Sequence, residues 1–322
     1  MSFAQYGTAE SKMKTTLEDL CNEILLQILE CVHNPYDIYR AFSRLNHRFD
    51  LILQSVRLQL DIFVEDKQSL TMIRYFSANC THLRIYNMCP SISLQQFLRL
   101  RSLTIHEPTD AQMNLIQSTT LPMLEHLASP ASMMIFDCLF SNRHKPWLYL
   151  HSCHFYFPHF PNSKVTWQPN RTLRTLSGVT CSRKTLSQLL SLLPSLKCLR
   201  VDMIANDLSD WNTMIFEKTL TSLRIGFHQL NYDDIRVLIG PLLRRLHIEV
   251  FCEQPSINFS LLGAVIMSRG KELEQFCCDY RGRNIPVDSI KTAHRMFQSI
   301  QVLPTHSYDT NSFKCEYKGK IN

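Results

Sequence analysis

Glycine is scarce here, with eight in 322 residues. A backbone that must approach a phosphate closely needs positions without a Cβ, and neither a G-x-x-x-x-G-K-[ST] loop nor a G-x-G-x-x-G turn occurs. Their absence argues against nucleotide chemistry. G-x-S-x-G, H-E-x-x-H and paired C-x-x-C elements are missing as well, which removes the more specific hydrolase and zinc signatures. No run of about eighteen apolar residues is present to cross a bilayer. The opening MSFAQYGTAESKMKTT has no continuous apolar core of the kind a signal peptide carries. These absences lead to the expectation of a soluble, intracellular protein, cytoplasmic and/or nuclear, with no membrane partner.

Charge of one sign is also in short supply. Lys and Arg number 34 against 28 Asp and Glu, a net +6, well short of the clustered basic footprint of a dedicated nucleic-acid binder. A local excess sits late, with seven basic residues against three acidic ones between Arg281 and Asn322. Twelve cysteines are present, but they are scattered without the dense spacing of a disulfide framework, so buried free thiols are expected. The best metal candidate is His151, Cys153, His154 and His159, which could converge only if their segment folded back, while Cys277 with Cys278 and Cys80 with Cys89 are not placed as ligand pairs. The expectation is therefore no metal, no cofactor and no enzyme chemistry.

The densest local signal lies between Thr16 and Leu53. Leu20, Ile24, Leu25, Ile28, Leu29 and Val32 recur at helical spacing. Asn34 is placed to cap a second helix with Pro35 at its first position. Ile38, Phe42 and Leu45 form that helix's apolar face. Asn46 can cap a third helix, carrying Phe49, Ile52 and Leu53. A unit of about forty residues lies near the lower limit for a self-sufficient core, so part of this apolar surface calls for another partner.

These residues resemble the F-box, the three-helix adaptor-binding module of SCF-type cullin-RING ubiquitin ligases. Leu20, Glu23, Ile24, Leu25, Ile28 and Leu29 stand at the positions of the family's Leu-Pro-x-Glu-Ile-Leu and Ile-Phe/Leu elements, with Cys21 in place of the Pro. Asp37 and Ile38 stand where the family has Asp-Leu. Arg48 lies near the usual Arg, and Phe49 where a Trp is common. The resemblance implies docking on a Skp-family adaptor and its cullin complex through Leu20, Cys21, Ile24, Leu25, Ile28, Leu29, Asp37 and Phe49.

From about residue 56 an L-x-x-L-x-L-like element recurs, with central apolar positions at 83, 103, 127, 148, 176, 199, 223, 246, 276 and 300. Most steps fall within the roughly 20–29 residues of one leucine-rich repeat, to which the stretch is similar. Helical patterns lie between instances at Leu186–Leu193, Ile235–Leu243, Phe259–Met267 and Ile290–Phe297. The Asn or Cys that the family carries after each strand is largely missing.

The expected fold class is α/β: an N-terminal three-helix F-box followed by an irregular leucine-rich-repeat solenoid with parallel inner strands and outer helices. The boundaries are 1–15 disordered, 16–55 F-box, 56–303 repeat region and 304–322 a polar basic tail. Alternation within each strand assigns an exposed face carrying Arg84, Tyr86, Thr104, His106, Tyr149, His151, Arg200, Asp202, Arg224, His247, Glu249 and Asp279. Charges on that face balance, so a protein target is expected there rather than nucleic acid. The expectation is thus a substrate receptor of a ubiquitin ligase. A repeat scaffold whose helical N-terminus is only a cap stands as the alternative.

Overall fold

The computed structural model describes residues 16–32, 34–141, 145–156, 167–204, 219–228, 230–251, 257–282, 287–298, 300–303 and 311–318. The expected disordered segment 1–15 lies outside them. Three short helices come first: α1 (Asn22–Glu30), α2 (Pro35–Phe42) and α3 (His47–Leu53). The side-chain oxygens of Asn34 and Asn46 each accept a first-turn backbone N–H, from Tyr36 and Phe49, at 3.0 Å, satisfying donors that a helix start leaves open. Between α2 and α3 the chain turns through Arg44, at φ 63°, and its N–H donates to the Asp50 carboxylate at 3.1 Å.

Leu25, Leu29, Ile38, Phe49, Ile52 and Leu53 fill the interior of this helical unit. The unit does not stop there. Buried Val56 leads into β1 (Leu58–Ile62), and Tyr39 of α2 packs edge-on against Tyr75 and Phe76 of α4 (Lys67–Phe76). One continuous apolar core therefore runs from α1 to the far end of the chain.

The fold is mixed α/β, built on a large and mostly parallel sheet. After β1 come β2 (Cys80–Ile85), β3 (Ser102–Ile105), β4 (His126–Pro130), β5 (Ser152–Tyr156) and β6 (Thr175–Cys181). Then follow β7 (Cys198–Met203), β8 (Ser222–Phe227), β9 (Arg245–Phe251) and β10 (Gln275–Gly282). These ten lie side by side in chain order, each parallel to the last. The sheet ends differently: β12 (Asn311–Lys318) inserts antiparallel between β10 and β11 (Ile300–Leu303).

Parallel neighbours need long crossovers, and several here carry helices: α5 (Asp110–Leu115), α6 (Met133–Phe140), α7 (Arg183–Leu192), α8 (Tyr232–Leu238) and α9 (Phe259–Arg269), while α10 (Val287–Ala293) follows β10 and precedes β11, which are separated in the sheet by β12. Their apolar stripes share one core with the inward side chains of the strands. Strand register aligns those inward positions into rows. One row runs Leu60, Leu83, Leu103, Leu127, Cys153, Leu176, Leu199, Leu223, Leu246 and Phe276. Each is buried, and each large aliphatic member contributes about 1.5–3 kcal/mol through removal from water.

Two sequence expectations are corrected by these rows. Position 148 is not a strand centre: Leu148 is 73% exposed, and Cys153 takes the place in the row. Trp147 and Leu150 supply the buried anchors of that segment instead, with Trp147 Nε1–H donating to the Cys138 carbonyl at 3.1 Å. The second correction is to the polar tail. Residues 311–318 form β12, whose Cys315 is fully buried. Residues 304–310 and 319–322 lie outside the described part.

Polar groups brace the layer away from the open face. The Arg183 guanidinium, at the start of α7, donates Nε–H and Nη2–H to the two carboxylate oxygens of buried Asp234 in α8, at 2.8 and 3.0 Å. Buried Asn170 closes a turn ahead of β6: its oxygen accepts from the N–H of Thr172 and of Leu173, and its amide donates to the Leu139 carbonyl. Within β6 the register shifts by a bulge at Gly178, φ 74°, where a Cβ would stand 2.0 Å from the Phe155 carbonyl oxygen. Only glycine fits there.

Candidate functional site

Two surfaces stand out, one on the helices and one on the sheet. On α1, Ile24 and Ile28 are 45% and 39% exposed, one helical turn apart, with exposed Cys21 at the N-cap and exposed Cys31 just beyond the C-terminus. Leu17 and Leu45 are exposed nearby in the chain. The α1 start is pinned by Arg48 of α3, whose guanidinium donates to Asn22 Oδ1 at 2.8 Å, to the Glu18 carbonyl at 2.6 Å and to the Leu20 carbonyl. Exposed Asp37 accepts from Asn34 Nδ2 at 3.1 Å.

Three of the residues expected to dock a partner lie elsewhere. Leu25, Leu29 and Phe49 are each 1% exposed and belong to the core, so they cannot contact an adaptor directly; this corrects their assignment. Leu20 is half-buried against the same core. The physical reason is the division of labour on a short amphipathic helix: successive turns of one side of the apolar stripe, Leu25 and Leu29, serve the inside, and its flank, Ile24 and Ile28, is left outside.

On the open face of the sheet, strand register places Asp61, Arg84, Thr104, Ala128, His154 and Ser177 in one row. The neighbouring row is aromatic. Phe63 and Tyr86 stack at 4.3 Å, Tyr86 and His106 at 5.1 Å, and His106 and Tyr156 at 4.7 Å, all within 20° of parallel. Tyr86 and His106 sit just past their strand ends, held by N–H bonds to the Ile62 and Ile85 carbonyls at 2.9 Å. His106 reaches Tyr156 across β4, where the intervening position is Pro130, a side chain too small to part them. His154 turns an edge to Tyr156 at 4.8 Å and shares a hydrogen bond of 2.7 Å with Ser177 Oγ. Burial, with Arg200 and His106 adding repulsion, holds the His154 imidazole below its ordinary value.

This half of the face revises the expected residue set. Tyr149 is exposed but precedes the strand, and His151 sits at its threshold, with Nδ1 2.8 Å from the Tyr149 carbonyl and its ring edge-on to His126. The in-register positions of β5 are His154 and Tyr156. Of the metal-like grouping, Cys153 points into the core, away from His154, and burial pushes its thiol far up; His159 lies outside the described residues.

The other half of the face, β7 to β12, is charged rather than aromatic. One row holds Arg200, Arg224, His247, Cys277 and Glu316, and the next holds Asp202, Gly226, Glu249, Asp279 and Lys314. Two pairs run diagonally between strands, Arg224 donating to Glu249 and His247 Nε2 lying 2.8 Å from Asp279 Oδ2, and a third runs along β12, with Lys314 Nζ 2.6 Å from Glu316. Cys277 Sγ–H donates to Asp279 Oδ1 at 3.7 Å. Glu249 holds the Arg224 guanidinium above its usual range, and burial with Asp279 pushes the Cys277 thiol up to about 12. Burial, reinforced by Glu249, raises the Asp202 carboxyl. Gly226 leaves that carboxylate room, since a Cβ there would lie 2.2 Å from Asp202 Oδ1.

The sheet face is therefore a bipartite surface, with an aromatic platform on β1–β5 and a crossed lattice of ion pairs on β7–β12. Phe63, His154, Tyr156, Cys277, Lys314 and Glu316 belong to it and are not among the residues that the sequence assigns to the exposed face. No family model matches the chain, and no curated protein matches it. Among the described residues no helix is long and apolar enough to cross a membrane.

Proposed function

We propose that the protein is a non-catalytic recognition subunit of an SCF-type ubiquitin ligase, with an F-box at residues 16–55 and a leucine-rich-repeat solenoid behind it. In this reading the helical unit docks a Skp-family adaptor, and through it the cullin complex, by way of Cys21, Ile24 and Ile28. The open sheet face holds a protein target, which associated ligase components modify. No chemistry is assigned to this chain. The compartment this reading calls for is intracellular.

The observation that carries the reading is the outward pair Ile24 and Ile28, set directly beside buried Leu25 and Leu29. Core-facing leucines already satisfy the helical unit, so two branched aliphatic side chains left in water ask for a partner surface. The sheet face supports the second half, because flat aromatic rings flanked by Arg84 and Arg200 are the composition of a protein contact rather than of a phosphate groove.

A second reading has its own support. Tyr39 packs on Tyr75 and Phe76, and the core is continuous, so the helices also cover the β1 edge. Capping and docking use different faces of the same unit. One pull-down separates them: wild type should recover a Skp-family adaptor, while Ile24→Asp/Ile28→Asp should lose it at unchanged melting temperature. Leu25→Asp is a poor probe because it charges the core. Equal recovery by the double variant would defeat the docking surface and leave the cap.

A further inference from the structure

We propose that His247, Cys277 and Asp279 form a binding site for one Zn2+ ion on the open face of the sheet, with its remaining coordination position turned to solvent. The site goes beyond the recognition function and does not depend on it.

The three side chains are brought together by the sheet itself. Register sets Cys277 of β10 beside His247 of β9, and Asp279 follows two residues on, so the period of a strand puts all three on one face. Their ligand atoms, His247 imidazole nitrogen, Cys277 Sγ and an Asp279 oxygen, lie within 4.8 Å of one another. Two of the spacings are 2.8 Å (His247 Nε2 to Asp279 Oδ2) and 3.7 Å (Cys277 Sγ to Asp279 Oδ1). With metal bonds of about 2.0–2.3 Å, tetrahedral ligand atoms stand roughly 3.3–3.8 Å apart. Small rotations of three side chains on rigid central strands bridge the difference.

The direct partners of the acid point the same way. Around the site stand three carboxylates, Glu249, Asp279 and Glu316, and four cations, Arg224 and Lys314 beside it and Arg245 and Lys318 along the adjoining groove. Arg224 and Glu249 take each other, as do Lys314 and Glu316. Asp279 itself has the His247 imidazole and the Cys277 thiol as its hydrogen-bonding partners, with Lys314 acting on it at longer range. A divalent cation would compensate it. Binding exchanges the thiol proton for the metal: Cys–SH and Zn2+ give a Zn–thiolate bond and one proton released to the buffer, while His247 binds as neutral imidazole. A thiolate with an imidazole selects a borderline-soft ion over Mg2+ or Ca2+, which require oxygen ligands. The fourth position would face a groove lined by Arg245, Gln275 and Lys318.

Cobalt serves as the probe on the full chain. The expected result is one equivalent of Co2+ bound, with tetrahedral visible bands and a thiolate-to-cobalt charge-transfer band in the near ultraviolet, all displaced by Zn2+. Cys277→Ser should abolish the charge-transfer band, and His247→Ala should weaken Co2+ binding at least tenfold. Cys198→Ser, a half-buried thiol on β7, should keep both signals. Zn2+ should raise the melting temperature of wild type but not of His247→Ala. Absence of stoichiometric binding, or a charge-transfer band that survives Cys277→Ser, overturns the proposal; should Cys277→Ser not fold, an unchanged cobalt affinity in His247→Ala does so instead.

Discussion

The ring of Phe63 lies flat against that of Tyr86, 4.3 Å between centroids and 4° between planes, although Phe63 just follows β1 and Tyr86 just follows β2. Phe63 is 57% exposed, so the pair is held by mutual contact rather than by burial in a core. The stack goes on through His106 to Tyr156, giving the sheet a row of rings whose outer edges remain available.

That geometry predicts measurable coupling. A double-mutant cycle of Phe63→Ala and Tyr86→Ala in chemical denaturation should return an interaction of about 0.5–1.5 kcal/mol beyond the separate losses. Strict additivity would mean that the rings do not stack in solution.

The bidentate contact of Arg183 with Asp234 joins two helices, the carboxylate buried and the Arg183 side chain mostly so. Arg183→Ala removes the bidentate guanidinium from a buried carboxylate and should cost about 3–5 kcal/mol in unfolding free energy. Replacing both residues by apolar side chains of similar volume should recover most of the loss, read from denaturant midpoints of the three variants.

Two positive-φ positions respond in opposite directions. Arg44 adopts a conformation that suits glycine, and its backbone N–H supplies the local bond, so Arg44→Gly should be neutral or stabilising by up to about 1 kcal/mol. Gly178→Ala sets a methyl group against the Phe155 carbonyl and should destabilise by about 2–4 kcal/mol. Thermal melts of the pair compare them directly; a Gly178→Ala protein as stable as wild type would remove the bulge from the account.

Burial holds His126 and His154 below the ordinary histidine value of 6.5, aided by His151 for the first and Arg200 for the second. As pH falls through 6.5 the unfolded chain takes up protons before the folded one does, so these two groups lower stability on the acid side and have no effect well above it. Unfolding midpoints should therefore drop between about pH 7.5 and pH 5, and His154→Gln should flatten part of that slope.

Much of this was legible in the chain, and the places where it was not share a cause. Asn34 with Pro35, and Asn46, mark helix starts by their own side-chain chemistry, and both starts are found. The repeated apolar centres at 83, 103, 127, 176, 199, 223, 246 and 276 fall into register because a strand cannot hide a charged residue at that depth. At β5 the template looked for leucine, and Leu148 offered one. The period-two alternation of Cys153 and Phe155 against His154 and Tyr156 was the better signal, masked because cysteine fills a leucine position. The same alternation, Cys315 and Tyr317 against Lys314 and Glu316, is hidden in the sequence by the surrounding charges, which suggest solvent. Which apolar residues of α1 face outward could not be read from spacing alone. Ile24 and Leu25 are adjacent, and only the packing of α2 and α3 decides between them.

The strand order at the far end of the sheet bears on how the molecule is made at the ribosome. Ten strands can be laid down one beside another as each is synthesised, every new one finding its neighbour already in place. The last pairing breaks that rule, because β11 touches the sheet only through β12. Until residues 311–318 have been translated, β10 presents an open flank to other chains and Ile300–Leu303 has nowhere to dock. A message truncated just short of that point would yield a product with most of its core formed and its sticky edge uncovered, a natural client for chaperones and for disposal.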